Sequence, residues 1–233
     1  MSRGFSLLEL LIVVSIIFIL SGVSMFFLSA HQRLYKPDEQ ATRIIDLLQE
    51  ARQRSLTQRE TMRVEIDLTD NIARLIDENK PETADDDVKI REVVLISANE
   101  ATIRVRPPDI TSNPPESLPV PPAQFKQSIY PPSALHDVCT IRFLRNGTVV
   151  NEGSDAVGTN AVPTGLTLFI WSPKKDKPDE SEIARAITVV GTTGAVRLWE
   201  YDRQSSDANK WKDSRRSGVF GGQTSVPTGG SNP

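Results

Sequence analysis

Apolar residues run almost unbroken from Phe5 to Leu28, 24 positions without Lys, Arg, Asp, Asn, Gln or Pro. As an α-helix that run is ~36 Å long at 1.5 Å per residue, enough to cross a hydrocarbon core of ~30 Å with some tilt. Polar residues then take over, and the apolar positions become periodic. Ala41, Ile44, Ile45, Leu48 and Ala51 recur at helical spacing and predict an amphipathic helix over 31–60. Asp38 and Glu39 stand near its start, and Arg52 and Arg54 near its end, the order a helix dipole favours. Pro37 marks either a kink or a fresh start in this helix.

From Thr61 the period changes to two. Met62, Val64, Ile66 and Leu68 share one face of a strand, and Ile72–Asp77 pairs with it across Thr69-Asp70-Asn71. Val88–Ser97 and Ala101–Arg106 read as the next hairpin, turning at Ala98-Asn99-Glu100. Asp85-Asp86-Asp87 lacks the spaced oxygens and glycine of a calcium loop and reads as an exposed turn. Nine of the sixteen prolines fall in 107–135, which predicts an extended, partly ordered insertion in the sheet domain. Strands resume at Thr140–Leu144, ending in the Asn146-Gly147 turn dipeptide. Leu166–Trp171 reads as a central strand, Lys174–Ser181 as a charged loop. Ala184–Val190 and Ala195–Tyr201 form a hairpin around Gly191–Gly194. From 202 to 233 the chain is polar and Gly/Ser-rich, the composition of a flexible tail. The predicted fold is α+β: a long N-terminal transmembrane and amphipathic helix packed on an antiparallel β-sheet domain over 61–201.

Composition adds mainly exclusions. The 233 residues suit one anchor plus one domain, and a net charge of −3 gives no electrostatic footprint for nucleic acid. Cys139, the single cysteine, cannot form an internal disulfide and reads as a small buried apolar residue. His31 and His136 are isolated in sequence and suggest no metal site. No nucleophile–base constellation, Gly-x-Ser-x-Gly or phosphate loop is present in the sequence, so neither an enzyme nor a cofactor is expected.

Glu9 is the one ionisable residue in the span, at a cost on the order of 2.5–3.5 kcal/mol at a helix centre and less near the interface. It needs a partner. A cut after Gly4 would create an α-amino group on Phe5, one helical turn before Glu9 on the same face. Arg3-Gly4-Phe5-Ser6-Leu7-Leu8-Glu9-Leu10-Leu11 resembles the type IV prepilin signal shared by pilins and type II secretion pseudopilins. That resemblance implies a leader over 1–4, cleavage between Gly4 and Phe5 by a prepilin peptidase, N-methylation of Phe5, and Glu9 as the acid used in assembly. It also implies an assembly helix over 5–30 in the inner membrane, a cytoplasmic N-terminus and a periplasmic domain. The implied partners are other pilins or pseudopilins, the inner-membrane assembly platform and membrane lipid. An ordinary secretory signal has a shorter apolar region, roughly 7–15 residues, and Leu28-Ser29-Ala30 is a poor cleavage site for one. Ser15, Gly22 and Ser29, seven apart, mark a possible close-packing seam between such helices.

A weaker resemblance, to the H-type minor pseudopilins of type II secretion and FimT-like minor pilins, rests on three stretches. They are Glu50-Ala51-Arg52, Ile141-x-Phe143 leading to Gly147, and Ile187 through Gly194-Ala195-Val196-Arg197. It implies a minor structural subunit of a pseudopilus or pilus; the alternative is a major subunit, which must repeat densely and for which a chain with this insertion and tail is bulky. DNA-capturing members of the group carry Gly-Arg-x-Arg at the last hairpin. Here the first arginine is Ala195, so only Arg197 is left as a weak DNA-contact candidate.

Overall fold

The computed structural model describes residues 7–78, 86–103, 106–116, 120–129, 135–155 and 157–214, with the side chains of 25–34 outside that description. Helix α1 (Leu7–Gln58) is continuous, so Pro37 neither breaks it nor starts a second helix. Over residues 7–24 it is exposed throughout. Its C-terminal half buries the predicted stripe: Ala41, Ile44, Leu48 and Ala51 are at most 1% exposed, joined by Leu47, while Ile45 stays half-buried. Arg59, at φ 58°, turns the chain out of the helix.

Among the described residues eleven strands follow, in two antiparallel sheets. The first holds β1 (Thr61–Asp67), β2 (Ile72–Glu78), β3 (Val88–Val94), β5 (Lys126–Gln127), β6 (Asp137–Phe143) and β7 (Val149–Val150), in the order β3-β2-β1-β6-β5 with β7 on β6. The second holds β4 (Thr102–Ile103), β8 (Leu166–Pro173), β9 (Ser181–Val189), β10 (Val196–Tyr201) and β11 (Trp211–Asp213), in the order β11-β10-β9-β8-β4. Register decides which residues face the helix. Val64 stands opposite both Leu75 and Ile141, and Leu168 opposite Ile187. Because side chains alternate, the inner faces of both sheets fill one core with the helix stripe.

The central strands of the outer faces are buried as well, by opposite chemistry. On the first sheet Arg63, Glu65, Asp67, Arg74 and Arg142 form a covered layer of charge. Arg63 donates to Glu65 at 2.9 Å and to Glu78 and Asp87 at 2.7 Å each, while Arg142 Nε reaches Glu78 at 3.0 Å. On the second sheet Phe169, Trp171, Ala184, Ala186, Trp199 and Trp211 form a separate apolar cluster with Ile110.

Four expectations are corrected here. The hairpin expected from Val88–Ser97 and Ala101–Arg106 does not form, because β4 pairs with β8 in the other sheet. Leu95, Ile96, Ala101 and Ile103 all sink into the shared core, and the helix holds the crossing: Gln40 Oε1 accepts from the Ile96 amide, and Arg43 donates to the Val94 carbonyl. The expected flexible tail over 202–233 is structured to Ser214. Trp211, 3% exposed, packs edge-on against Tyr201 and donates through Nε1 to the Ser112 carbonyl. Residues 215–233 lie outside the described residues. Asp87 is no exposed turn residue; Arg63 draws its side chain in until it is 8% exposed. His136 is not isolated either, since its Nδ1 lies 2.8 Å from Asp67.

The Pro-rich stretch is partly built into the sheets, as prolines with free carbonyls allow. The Pro121 carbonyl accepts from the Thr167 amide, the Ala123 amide returns a bond to Thr167, and β5 pairs with β6.

Candidate functional site

The candidate site is the part of α1 that the domain leaves bare. Over Leu7–Ser24 mean hydropathy is 2.6 and none of the window is buried. Leu7, Phe18 and Ile19 are 66–81% exposed. In water such a surface is strongly unfavourable at about 25 cal/mol per Å², so this half of the helix belongs in lipid or against other helices. Glu9 lies in the first turn, exposed. Gly4 and Phe5 lie outside the described residues, and with them the pairing of the Phe5 amine with Glu9.

Because α1 is unbroken, positions seven apart stay on one face, about 20° out of register per step. Ser15 and Gly22 therefore share a stripe with Ser29, whose side chain is not described. Ser15 Oγ returns its hydrogen to the Leu11 carbonyl at 2.8 Å, which spends its polarity within its own helix. Nothing lies within 4 Å of where a Cβ on Gly22 would stand. A smooth, small-residue face is thereby presented outward.

The three stretches of the weaker resemblance meet at the far end of the domain, a convergence their spacing in sequence did not reveal. Arg52 Nε donates to the Thr193 carbonyl at 3.1 Å. Gly194 has φ 61° and approaches the Gly147 carbonyl so closely that a Cβ would stand 2.5 Å from it. Gly147 in turn, at φ 80°, sits over Leu56. Ala51, Ile141, Phe143 and Ile187 are fully buried beneath. These residues close the helix against both sheets; they are structural in effect.

Arg197 stands on the outer face of β10, and Glu116 neutralises it at 3.1 Å. Glu116, 2% exposed, also accepts from Thr188 Oγ1, which accepts from Trp199 Nε1 at 2.9 Å. That chain of bonds ties the Pro-rich segment to the aromatic layer and leaves Arg197 without surplus charge to offer a phosphate.

Asp67, Asp70 and His136 bring their ligand atoms within 4.8 Å of one another. Arg74 already fills the space between the acids, donating to Asp67 at 2.8 Å and Asp70 at 3.0 Å. Burial raises the Asp67 pKa, but bonds from His136, the Asp70 and Thr69 amides and Arg74 together hold it below the usual range. The same hydrogen bond, donated by His136 to the Asp67 carboxylate, raises the His136 pKa. The cluster clips the end of the Pro-rich segment to the β1–β2 turn. Cys139 is buried and its thiol is pushed up to about 12 by desolvation, which makes it unreactive.

Residues 1–25 match the family model described as the prokaryotic N-terminal methylation motif. Comparisons with curated proteins and with solved structures returned no match. The proteins that carry this signal are structural subunits rather than known enzymes, and the motif implies processing by a prepilin peptidase and assembly with other pilins. Taken with the exposed apolar helix, the match shows that this chain carries a type IV prepilin-type signal, the mark of a pilin- or pseudopilin-like precursor.

Proposed function

We propose that the chain is a minor pseudopilin or minor pilin, cut after Gly4, methylated on Phe5 and assembled into a filament. The observation that carries this is one continuous helix with two fates: residues 7–24 bare and apolar, residues 41–51 locked into a folded domain. A single rigid rod of that kind can be drawn from lipid into a bundle of like helices without refolding its domain. Before extraction it rests in the inner membrane with its domain on the periplasmic side. Ser15, Gly22 and Ser29 line the seam where neighbouring helices approach.

A minor role fits the bulk. The Pro-rich segment and residues 202–214 form an extra layer over the aromatic face of the second sheet, which a densely repeated subunit would have to accommodate at every position. The H-type or FimT-like subtype is favoured by the meeting of Arg52, Gly147 and Gly194, residues on which that resemblance rests.

Glu9 carries the assembly step. In lipid its carboxylate is matched by the Phe5 amine of its own chain or by a proton; in the filament it meets the Phe5 amine of a neighbour. Burying one charge without the other is strongly unfavourable, so the pair sets axial register. Glu9→Ala is expected to insert and be cleaved, yet be missing from sheared filaments and from crosslinks to partner pilins. Assembly at the wild-type level would overturn the charge-register mechanism.

A further inference from the structure

Two contacts fix how the second sheet stands relative to the span. Near the base of the domain Arg185 on β9 pairs with Asp38 on α1, its Nη2 lying 3.1 Å from Oδ2. Farther up, Arg52 reaches the Thr193 carbonyl just beyond β9. Asp38 and Arg52 are 14 residues apart, ~21 Å of helix at 1.5 Å per residue. Arg185 and Thr193 are eight apart, at most ~26 Å of extended chain at 3.3 Å per residue. Lengths so nearly equal require β9 to run alongside α1 in the same direction, with its N-terminal end toward the bare half of the helix.

Continuing down β9, Ser181 lies four residues below Arg185, another ~13 Å. That distance equals about nine helix residues and brings the strand end level with about residue 29 of α1. The apolar run ends at Leu28, and a ~30 Å core needs only ~20 of its 24 residues. The hydrocarbon edge therefore falls between about residues 24 and 28, ~1.5–7.5 Å lower along the helix. Headgroups add about 5–7 Å to each side of the hydrocarbon core. The β8–β9 hairpin, residues 174–180, projects beyond Ser181 into that layer.

Its chemistry suits the layer. Lys175, Asp176, Lys177, Pro178 and Asp179 are exposed, and Lys174, Lys175, Lys177, Asp176, Glu180 and Glu182 line a cup of about 450 Å³. Glu180 accepts from Lys174 at 2.6 Å and Lys177 at 2.7 Å, bonds that hold its carboxyl at about 2. Over 174–180 three lysines balance three acids, so contact with a zwitterionic surface needs no anionic lipid.

We propose that the β8–β9 hairpin of the membrane-resident subunit rests on the phospholipid headgroups, with the exposed Lys175 meeting lipid phosphate. The domain then has two supports, span and hairpin, which fix its rotation about the membrane normal and the face it turns to neighbours. Extraction into a filament breaks the contact. The inference rests on the span reading, and its test separates the two.

The full chain is reconstituted in phosphatidylcholine vesicles as three single-site fluorophore variants: Pro178→Cys at the tip, Asn146→Cys at the far end, Ile16→Cys in the span. Buried Cys139 stays unlabelled, as the parent chain verifies. Lipid carrying a headgroup nitroxide is expected to quench the tip label at least twofold more than the far-end label, while an acyl-chain nitroxide quenches Ile16→Cys. A quenched span label with tip and far end alike would overturn the hairpin contact alone. An unquenched span label would overturn the span reading and this inference with it. With Lys175→Glu added to the Pro178→Cys chain, quenching should fall to the far-end level; unchanged quenching would refute the lysine–phosphate contact.

Discussion

Arg63→Met removes one guanidinium from the middle of the covered charge layer while keeping most of its volume. Arg63 is fully buried and bonds three carboxylates: Glu65 at 0%, Glu78 at 3% and Asp87 at 8% side-chain exposure. Burial opposes the guanidinium charge, yet these acids hold its pKa above the ordinary arginine value. Without it they are left with Arg142 beside Glu78 and Arg74 beyond Glu65. Breaking a buried pair from one side costs about 3–5 kcal/mol, a large part of the 5–15 kcal/mol of a typical domain. Urea unfolding of a fragment beginning at Lys36, which retains every helix residue of the core, measures the loss. The loss should also shrink as pH falls. Burial already raises the Asp87 carboxyl above its ordinary value, with Arg63 the main opposing influence. Removing Arg63 raises it further, so the folded mutant takes up protons before the unfolded chain does and gains stability on acidification. Replacing Glu65 and Glu78 by Gln in the same chain should restore part of the loss. A cost under about 1 kcal/mol, far below the buried-pair range, or one independent of pH, would refute the reasoning and leave only lost packing.

His136→Ala should destabilise the same fragment at about pH 5.5 more than at about pH 8.5. His136 is raised, so its contribution is full below its ordinary 6.5 and lost as pH rises through the folded value; Asp67 is depressed, so its share disappears only at lower pH. Equal losses at both pH values in urea titrations would contradict the clip. In gel shifts at two salt concentrations the fragment should bind duplex DNA weakly and without steep salt dependence. Tight, salt-sensitive binding abolished by Arg197→Ala would instead favour DNA capture.

The helix and its neighbours were legible because their signals are local. The spacing of Ala41, Ile44, Leu48 and Ala51 marked the buried stripe, and Asn71, at φ 58°, and Asn146-Gly147 sit in the turns their chemistry suggested. What escaped the sequence depends on partners far along the chain. Nothing near Val88–Ser97 says that the strand after it will join β8, because the reason is burial of Ile96 and Ala101 under a helix some 55 residues earlier. Arg63, Glu65 and Asp67 alternate with apolar residues as a wet face would, yet distant acids and Arg142 cover and neutralise them. Trp211 stands alone among polar residues, and only Tyr201, Phe169 and the Ser112 carbonyl explain it. For the proposed assembly site the reverse holds: Gly4, Phe5 and Glu9 were read from sequence, and the fold adds the bare helix over residues 7–24.

Processing is the step on which the whole account depends, and mass analysis of membrane-extracted protein tests it most directly. The account predicts an N-terminal peptide beginning at Phe5, with a single added methyl group on its amino nitrogen. An N-terminus near His31, or an intact MSRG leader in the presence of an active prepilin peptidase, would contradict it.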